Sequence, residues 1–233
     1  FNLALDLRTR VRVTPFEKGR VQVISKGFDP ACFPAGSAPF THPMGLMFAI
    51  ADYFKADGVC IEIDSASPPR SALGGSSVAS VALIAALARR SGPGPNVPAT
   101  RRQIVLLANR LESMTARTPC GIQDHLAAAY GGVNLWTWLP GFEGREFTRR
   151  VLIRKNQGAG LEKNLLLAYG GNPHESLDVN GRWVTRFLTG ECRRAWEEVV
   201  ACTRGFAQAF EVGDWTAACD FMNRETRLRL DMT

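Results

Sequence analysis

Alternating apolar and polar positions open the chain. Over residues 2–13, side chains pointing one way are apolar and those pointing the other way are largely charged, which is typical of a half-buried strand. The apolar set is Leu3, Leu5, Leu7, Val11 and Val13, and the charged set is Asp6, Arg8, Arg10 and Arg12. Shorter runs at residues 21–24 and 59–63 predict two more strands.

Helical spacing dominates the next hundred residues. Pro and Gly between residues 27 and 45 predict a loop, and residues 44–54 are apolar enough for a helix. A run of small apolar residues then continues to Ala88, where Arg89, Arg90, Gly92 and Pro93 predict a helix end. Thr100 and Gln103 form a capping box for a further helix. A helix over residues 122–130 and a strand over 133–138 follow.

The second half has a different pattern. Residues 151–153 and 165–169 predict strands, and two helices follow, the second behind the predicted N-cap Asp214. Trp136 and Trp138 share one strand face and are expected to pack in the core. Because strands and helices mix without a regular alternation, the sequence predicts an α+β fold. A domain boundary is expected near residues 140–148.

Composition excludes several classes of protein. The 233 residues are 45% hydrophobic and 21% charged, which argues against a disordered, collagen-like or coiled-coil chain. The longest uncharged apolar run, residues 78–88, is shorter than the roughly 20 residues of a membrane span, so no membrane helix is predicted. Since the chain begins at Phe1 inside a predicted strand, we expect a longer protein.

Charge and cysteine content narrow the partners. The net charge of +6 suits an anionic partner, and it is equally consistent with a modest Arg excess that only keeps the protein in solution. The basic residues form no stripe and accompany no nucleic-acid-binding motif, so that class is disfavoured. None of the six cysteines forms a C-x-x-C pair, and the three histidines are scattered. We therefore expect reduced, mostly buried thiols and a cytoplasmic protein.

The candidate chemistry lies in residues 68–80. Gly74 and Gly75 allow a ligand to approach the backbone closely, and Ser76 and Ser77 are expected to cap the helix that begins there. Free N–H groups at such a helix start suit a phosphate, although a tight turn with a helix cap explains the pattern equally well. The loop matches neither the Walker A pattern nor the G-x-G-x-x-G fingerprint.

The stretch Pro-Pro-Arg-Ser-Ala-Leu-Gly-Gly-Ser-Ser-Val at residues 68–78 resembles the second motif of the GHMP kinases, with Ala72 where the family has Gly and Val78 where it has Ala. The segment from Arg110-Leu-Glu112 to Gly-Ile-Gln-Asp124-His125 resembles the family's metal-binding Glu followed by Gly-x-x-Asp-Gln/Asn. Residues 2–8 resemble the strand after the first motif. Residues 121–132 and 169–176 resemble the heptose-phosphate kinase branch.

The resemblance implies a two-domain α+β fold. A ribosomal-protein-S5-like domain would cover residues 1–145, and an incomplete ferredoxin-like α/β domain would cover residues 146–233. The family's first and third motifs would lie before Phe1 and after Thr233, so both ends of the fold are expected to be missing. Oligomeric state cannot be read from the sequence.

The resemblance also implies roles for individual residues. The ATP phosphates would contact Leu73, Gly74, Gly75, Ser76 and Ser77. Mg²⁺ would be held by Ser77 and Glu112, and Asp124 would accept the proton of the attacking hydroxyl. Acceptor contacts would come from Gly121, Ile122, Gln123 and His125. From the residues alone, Glu112 could instead be a solvated helix residue, Asp124 a helix cap, and His125 a packed side chain.

The implied reaction is phosphorylation of a sugar or sugar phosphate by ATP and Mg²⁺, with neither nucleic acid nor membrane as partner. The predicted acceptor is the anomeric hydroxyl of D-glycero-D-manno-heptose 7-phosphate, and a free sugar such as galactose or fucose is the alternative. A catalytically silent sugar- or nucleotide-binding regulator is the alternative of another class. His174, Glu175, Arg154 and Lys155 could contact the acceptor or form only polar surface.

Overall fold

The computed structural model describes residues 1–69, 71–116, 120–139, 146–154, 158, 160–168 and 177–232, without the side chains of residues 177–180. The strands are β1 (Asn2–Leu3), β2 (Thr9–Pro15), β3 (Arg20–Ser25), β4 (Ala31–Pro34), β5 (Val59–Ser65), β6 (Val133–Trp138) and β7 (Phe147–Ile153). The helices are α1 (Gly45–Tyr53), α2 (Gly75–Ser91), α3 (Arg101–Ala116), α4 (Gln123–Tyr130), α5 (Leu177–Leu188), α6 (Arg193–Val212) and α7 (Trp215–Asp231), with a 3-10 turn at Leu161–Asn164. The predicted α+β class is confirmed.

The chain forms two compact units. The larger unit contains Leu5–Gly131, and the smaller unit contains Phe1–Ala4, Gly132–Ala168 and the described residues from 177 onward. The chain thus passes from the smaller unit through Leu5–Gly131 of the larger unit and then returns to the smaller unit. The boundary predicted between residues 145 and 146 stays a prediction, because residues 140–145 lie outside the described part of the chain.

The larger unit is a four-stranded sheet packed on helices. The strand order is β2-β5-β3-β4, in which β5 runs antiparallel to β2 and parallel to β3. One face of β5 carries Val59, Ile61 and Ile63, which are buried against α1 and α2. Polar residues of β2 and β5 occupy the other face, as the alternation of a half-buried antiparallel sheet requires.

Helix α2 is the centre of this packing. Leu83 and Ile84 are fully buried, and α2 contacts α1, α3, α4 and β2. Small residues along the helix, among them Ala79 and Ser80, allow these neighbours to approach closely. The sequence therefore holds the first turn of α2 in a fixed position relative to α3 and α4.

The smaller unit has its own sheet and helical core. Strands β1, β6 and β7 form an antiparallel sheet, with Asn2 opposite Asn134. Helices α6 and α7 pack side by side. The guanidinium of Arg229 lies 5.4 and 5.3 Å from the ring centres of Trp183 and Trp196, which is cation–π distance.

Two strand predictions are wrong in instructive ways. Residues 2–13 form two strands rather than one: β1 pairs with β6 in the smaller unit, and β2 pairs with β5 in the larger unit. Alternation reports the two faces of a strand but not a change of pairing partner. The loop predicted over residues 27–45 contains β4, in which Phe33 packs edge-on against Phe48.

Further differences concern the second half. Residues 165–168 are not a strand, and residue 169 lies outside the described part. Helix α5 was not predicted from the sequence. Trp136 is buried as expected, but Trp138 is 47% exposed.

Several helix predictions are confirmed. The backbone N–H of Gln103 donates to Oγ1 of Thr100 at 3.2 Å, and the N–H of Thr100 donates to Oε1 of Gln103 at 3.0 Å, which is a capping box. Asp214 accepts from the N–H of Ala217 at 3.0 Å as the N-cap of α7.

In the described residues, we find no helix whose length and hydropathy would let it cross a bilayer.

We predict that Gly205→Ala destabilises the smaller unit. A Cβ at Gly205 of α6 would overlap the ring of Phe221 on α7, and overpacking of this kind costs about 1–3 kcal/mol. Gly181→Ala in α5 is the matched control, because its Cβ would meet open space. Since Ala is favoured over Gly by about 1 kcal/mol in a helix interior, this control should stabilise. Urea unfolding followed by circular dichroism measures both changes, and equal stability of the two variants would contradict the packing described.

Candidate functional site

The site begins at the first turn of α2. Gly74 is the N-cap residue and has a φ of +69°, and the backbone reaches this left-handed conformation readily only at glycine. The N–H of Val78 donates to the carbonyl of Gly74 at 2.9 Å. The N–H groups of Gly75, Ser76 and Ser77 precede that first helical bond, and they are left for an acceptor in front of the helix.

A second left-handed residue shapes the loop before α2. Ala72 has a φ of +58°, a conformation that costs an L-residue about 1–2 kcal/mol. This is the position at which the sequence has Ala in place of the Gly of the resembled motif. The loop therefore keeps its left-handed turn without the residue that adopts it most easily.

Ser76 and Ser77 do not cap α2, contrary to the prediction. Both lie in the first turn, and α2 has no side-chain cap. Ser76 Oγ donates to Oε1 of Glu112 at 2.5 Å, and Ser77 Oγ donates to Oε2 at 2.8 Å. Glu112 belongs to α3, so this carboxylate joins the start of α2 to the neighbouring helix.

Glu112 is a buried residue rather than a solvated one. It is 9% exposed. Burial acts to raise its pKa, but the contacts from His125, Ser76 and Ser77 outweigh burial, so the pKa lies below its usual value. The group is therefore a carboxylate at neutral pH, and it places a negative charge beside the helix start.

His125 completes this cluster from α4. Its ring is fully buried, and Nε2 lies 2.7 Å from Oε2 of Glu112. The pair is within ion-pair distance, and this contact contributes to the lowered pKa of Glu112. Within the described residues neither ring nitrogen has a well-formed hydrogen bond. The ring thus faces Glu112, which gives no support to the predicted acceptor contact.

Asp124, in the first turn of α4, lies against Gly74 at the start of α2. A Cβ added to Gly74 would come within 2.9 Å of Asp124 Cβ and 3.0 Å of its Cγ. Asp124 therefore occupies the space that a side chain at position 74 would need. Asp124 does not cap α4, whose N-cap is Ile122. Loss of hydration raises the pKa of Asp124, His125 opposes this, and the charge of Glu112 adds to it. A carboxylate of raised pKa suits proton transfer.

The oxygen-rich cluster fits a hard divalent cation. A serine hydroxyl can donate its hydrogen to Glu112 and still offer a lone pair to a metal. Ser77 and Glu112 offer the hydroxyl and carboxylate oxygens that Mg²⁺ prefers, and a Mg²⁺ ion in a protein generally takes its other ligands from phosphates and water. The described residues contain no group of three or more His, Cys, Asp or Glu side chains that would form a cage of protein ligands alone.

The remaining predicted residues are placed as follows. Leu73 is partly buried in the loop before α2, and Gly121, Ile122 and Gln123 form the turn into α4. Gly121 lies against the Gln123 amide, where a Cβ would overlap it. Arg154 is exposed in the smaller unit, whereas Lys155, His174 and Glu175 lie outside the described residues.

Sequence reasoning named the site residues but missed how they connect. The hydroxyl–carboxylate–imidazole cluster and the contact between Gly74 and Asp124 both depend on α3 and α4 packing beside α2. The one sequence signal for this arrangement is the run of small residues in α2, which permits close helix packing.

Comparison with known proteins gives one matching family model. Residues 43–132 match the family model described as the GHMP kinases N terminal domain. A comparison with curated proteins gives no match.

Three solved structures are similar in fold. A proposed sugar kinase from Campylobacter jejuni has a TM-score of 0.62 and 18% identity over 95% of this chain. A D-glycero-D-manno-heptose 1-phosphate kinase from Bacteroides thetaiotaomicron has a TM-score of 0.62 and 16% identity over 96%. Lactococcus lactis galactokinase complexed with galactose has a TM-score of 0.61 and 15% identity over 96%.

The chain spans 64%, 68% and 67% of the lengths of these three structures, respectively. The matched segment, residues 43–132, contains the loop before α2, Glu112, Asp124 and His125. Residues 43–132 thus match the GHMP kinases N terminal domain, and the fold of the chain is similar to the one seen in these sugar kinases.

Proposed function

We propose that the protein transfers the γ-phosphoryl group of ATP to a hydroxyl of a sugar or sugar phosphate. The observation that carries the proposal is the contact between Gly74 and Asp124, which brings a carboxylate of raised pKa to the N-terminus of a buried helix. Phosphoryl transfer requires little beyond positioning and charge neutralisation, and this arrangement supports both.

The nucleotide would bind at the start of α2. Gly75 and Ser76 are exposed there, and the N–H groups of the first turn together with the helix dipole favour phosphate oxygens. Leu73, Gly74 and Ser77 complete the proposed contacts. The net charge of +6 is a favourable background for a polyanionic ligand.

Ser77 and Glu112 would hold Mg²⁺. When bound, the ion neutralises charge on the phosphates during transfer. The lowered pKa of Glu112 keeps this ligand ionised, and Ser76 and Ser77 donate hydrogen bonds to its carboxylate.

Asp124 would orient the acceptor hydroxyl and accept its proton. The acceptor oxygen forms the new bond to the γ-phosphorus as the bond from phosphorus to the bridging oxygen breaks, and ADP leaves. Gly121, Ile122 and Gln123, which lead into α4 beside Asp124, are the proposed acceptor contacts.

The proposed acceptor is the anomeric hydroxyl of D-glycero-D-manno-heptose 7-phosphate. It is supported by the resemblance of residues 121–132 to the heptose-phosphate kinase branch. The similarity in fold to a heptose 1-phosphate kinase supports a heptose phosphate as the class of acceptor, without favouring a particular hydroxyl. The similarity to galactokinase favours a free sugar as the second candidate.

A cytoplasmic location is part of the proposal. The described residues include all six cysteines, and no disulfide joins them, which is compatible with a reducing compartment. We also keep the boundary at residues 145/146 as the proposed division into an N-terminal and a C-terminal domain.

We predict that Asp124→Asn abolishes turnover while nucleotide binding is retained. The variant keeps the side chain's size beside Gly74 but removes the proton acceptor, and general-base catalysis contributes about 10²–10⁴-fold. Coupled ADP release and ADP titration measure the two effects in the protein that carries this chain. Asp64→Asn, which changes an exposed carboxylate of β5, is the matched control. Near wild-type turnover in Asp124→Asn would contradict the mechanism.

We predict that Gly74→Ala and Gly75→Ala differ in stability. Ala at position 74 would be strained by about 1–2 kcal/mol because of its left-handed φ, and it would displace Asp124. Ala at position 75 lies in a helix with open space around its Cβ, so stability should be unchanged or slightly higher. Thermal unfolding measures this difference, and equal melting temperatures would show that Gly74 is not constrained as described.

We predict that sugar 7-phosphates outperform free sugars as acceptors. A panel of heptose 7-phosphate, galactose, fucose and related sugars is assayed by ADP release, and the heptose phosphate is expected to give the highest kcat/KM. A preference for galactose would favour the second candidate. Sugar or nucleotide binding without ADP release would favour a catalytically silent regulator.

A further inference from the structure

The side chain of His125 is fully buried although it is polar. The ring is 0% exposed, and in the described part of the chain Nδ1 has no hydrogen-bond partner. Burying a polar group without a partner is unfavourable. The next residue, Leu126, is also 0% exposed, which shows that α4 accommodates an apolar side chain at this depth. Packing alone therefore gives no reason for an imidazole.

The compensating contact is with Glu112. Nε2 of His125 lies 2.7 Å from Oε2, the carboxylate oxygen that also accepts from Ser77 at 2.8 Å. The two serines are on α2 and Glu112 is on α3, whereas His125 reaches the carboxylate from α4. The imidazole is thus a contact to the carboxylate that does not depend on the first turn of α2.

That independence matters when a ligand binds at α2. The serine hydroxyls rotate freely and can turn toward a phosphate or a cation. The imidazole is a rigid ring enclosed by the core, so it keeps its place when the hydroxyls reorient. Of these three contacts, only that of His125 cannot be redirected by hydroxyl rotation.

We propose that His125 is a positioning residue, which holds the Glu112 carboxylate in the orientation needed to ligate a divalent cation. The inference rests on the proposed function, since it takes Glu112 as a metal ligand. It assigns His125 to the metal side of the site rather than to the acceptor. Groups that orient a metal ligand typically change metal affinity about 10–100-fold when they are removed.

Helix geometry explains how one short helix serves both groups. Successive residues of an α-helix point about 100° apart. Asp124 therefore lies against Gly74, while His125 turns inward to Glu112. The first turn of α4 thus fixes the proposed base and the proposed metal ligand together.

The test compares Mn²⁺ binding in the presence of ADP, followed by electron paramagnetic resonance, in the protein that carries this chain. His125→Leu removes the polar contact and is expected to weaken Mn²⁺ binding about 10-fold or more. His125→Gln retains an N–H donor of similar reach and should bind Mn²⁺ nearly as tightly as wild type. Leu126→Val is the packing control, which should lower the melting temperature without changing Mn²⁺ affinity. If His125→Leu does not fold, His125→Met provides the same apolar comparison.

Unchanged Mn²⁺ affinity in His125→Leu or His125→Met would overturn the inference. Equal weakening in His125→Gln and His125→Leu would overturn it as well, because the polar contact to Glu112 would then not be the cause. If Mn²⁺ binding follows the expected order but no sugar supports ADP release, the inference stands and the proposed kinase reaction fails. If a sugar supports ADP release but His125→Leu leaves Mn²⁺ affinity unchanged, the proposed kinase reaction stands and the inference about His125 fails. Absence of Mn²⁺ binding by the wild type would overturn both.

Discussion

A buried carboxylate needs partners, and this requirement connects the fold to the site. Glu112 is enclosed between helices, where an unpaired charge would be strongly unfavourable. Its contacts come from α2 and α4, so α3 can pack in the larger unit only when both neighbours present the correct side chains. The same contacts keep Glu112 ionised beside the start of α2. The contacts that allow this part of the core to pack thus also set the charge beside the proposed phosphate site.

The sequence predicts elements where the signal is local. Thr100 and Gln103 lie three residues apart and contact each other, so the start of α3 can be recognised from the chain alone. Residues 2–13 show the limit of local patterns, because β1 and β2 have equivalent alternation but pair with strands more than forty residues away. Strand β4 is four residues long and bounded by Pro and Gly, so its sequence is not distinguishable from that of a loop.

The same distinction holds for the candidate site. Motif resemblance points to Ser77, Glu112 and Asp124 as candidate site residues because each stands at a fixed place in the resembled motifs. It cannot show that Ser76 and Ser77 bind the carboxylate of another helix instead of capping their own. Nor can it distinguish a solvated Glu112 from a buried one. Those outcomes depend on which helices become neighbours, and the small residues of α2 only permit that packing.

Pairing between β1 and β6 has a consequence for folding order. Asn2 lies opposite Asn134, and the N–H of Ala4 donates to the carbonyl of Gly132 at 3.0 Å. The loop that this pairing closes contains Leu5–Gly131 of the larger unit. Closing so long a loop in an unfolded chain is entropically costly. If residues 5–131 fold first, the ends of the loop are already restrained and the remaining entropic cost of the pairing is smaller. Asn2 and Leu3 therefore cannot form this pairing until residues 133–134 have been synthesised.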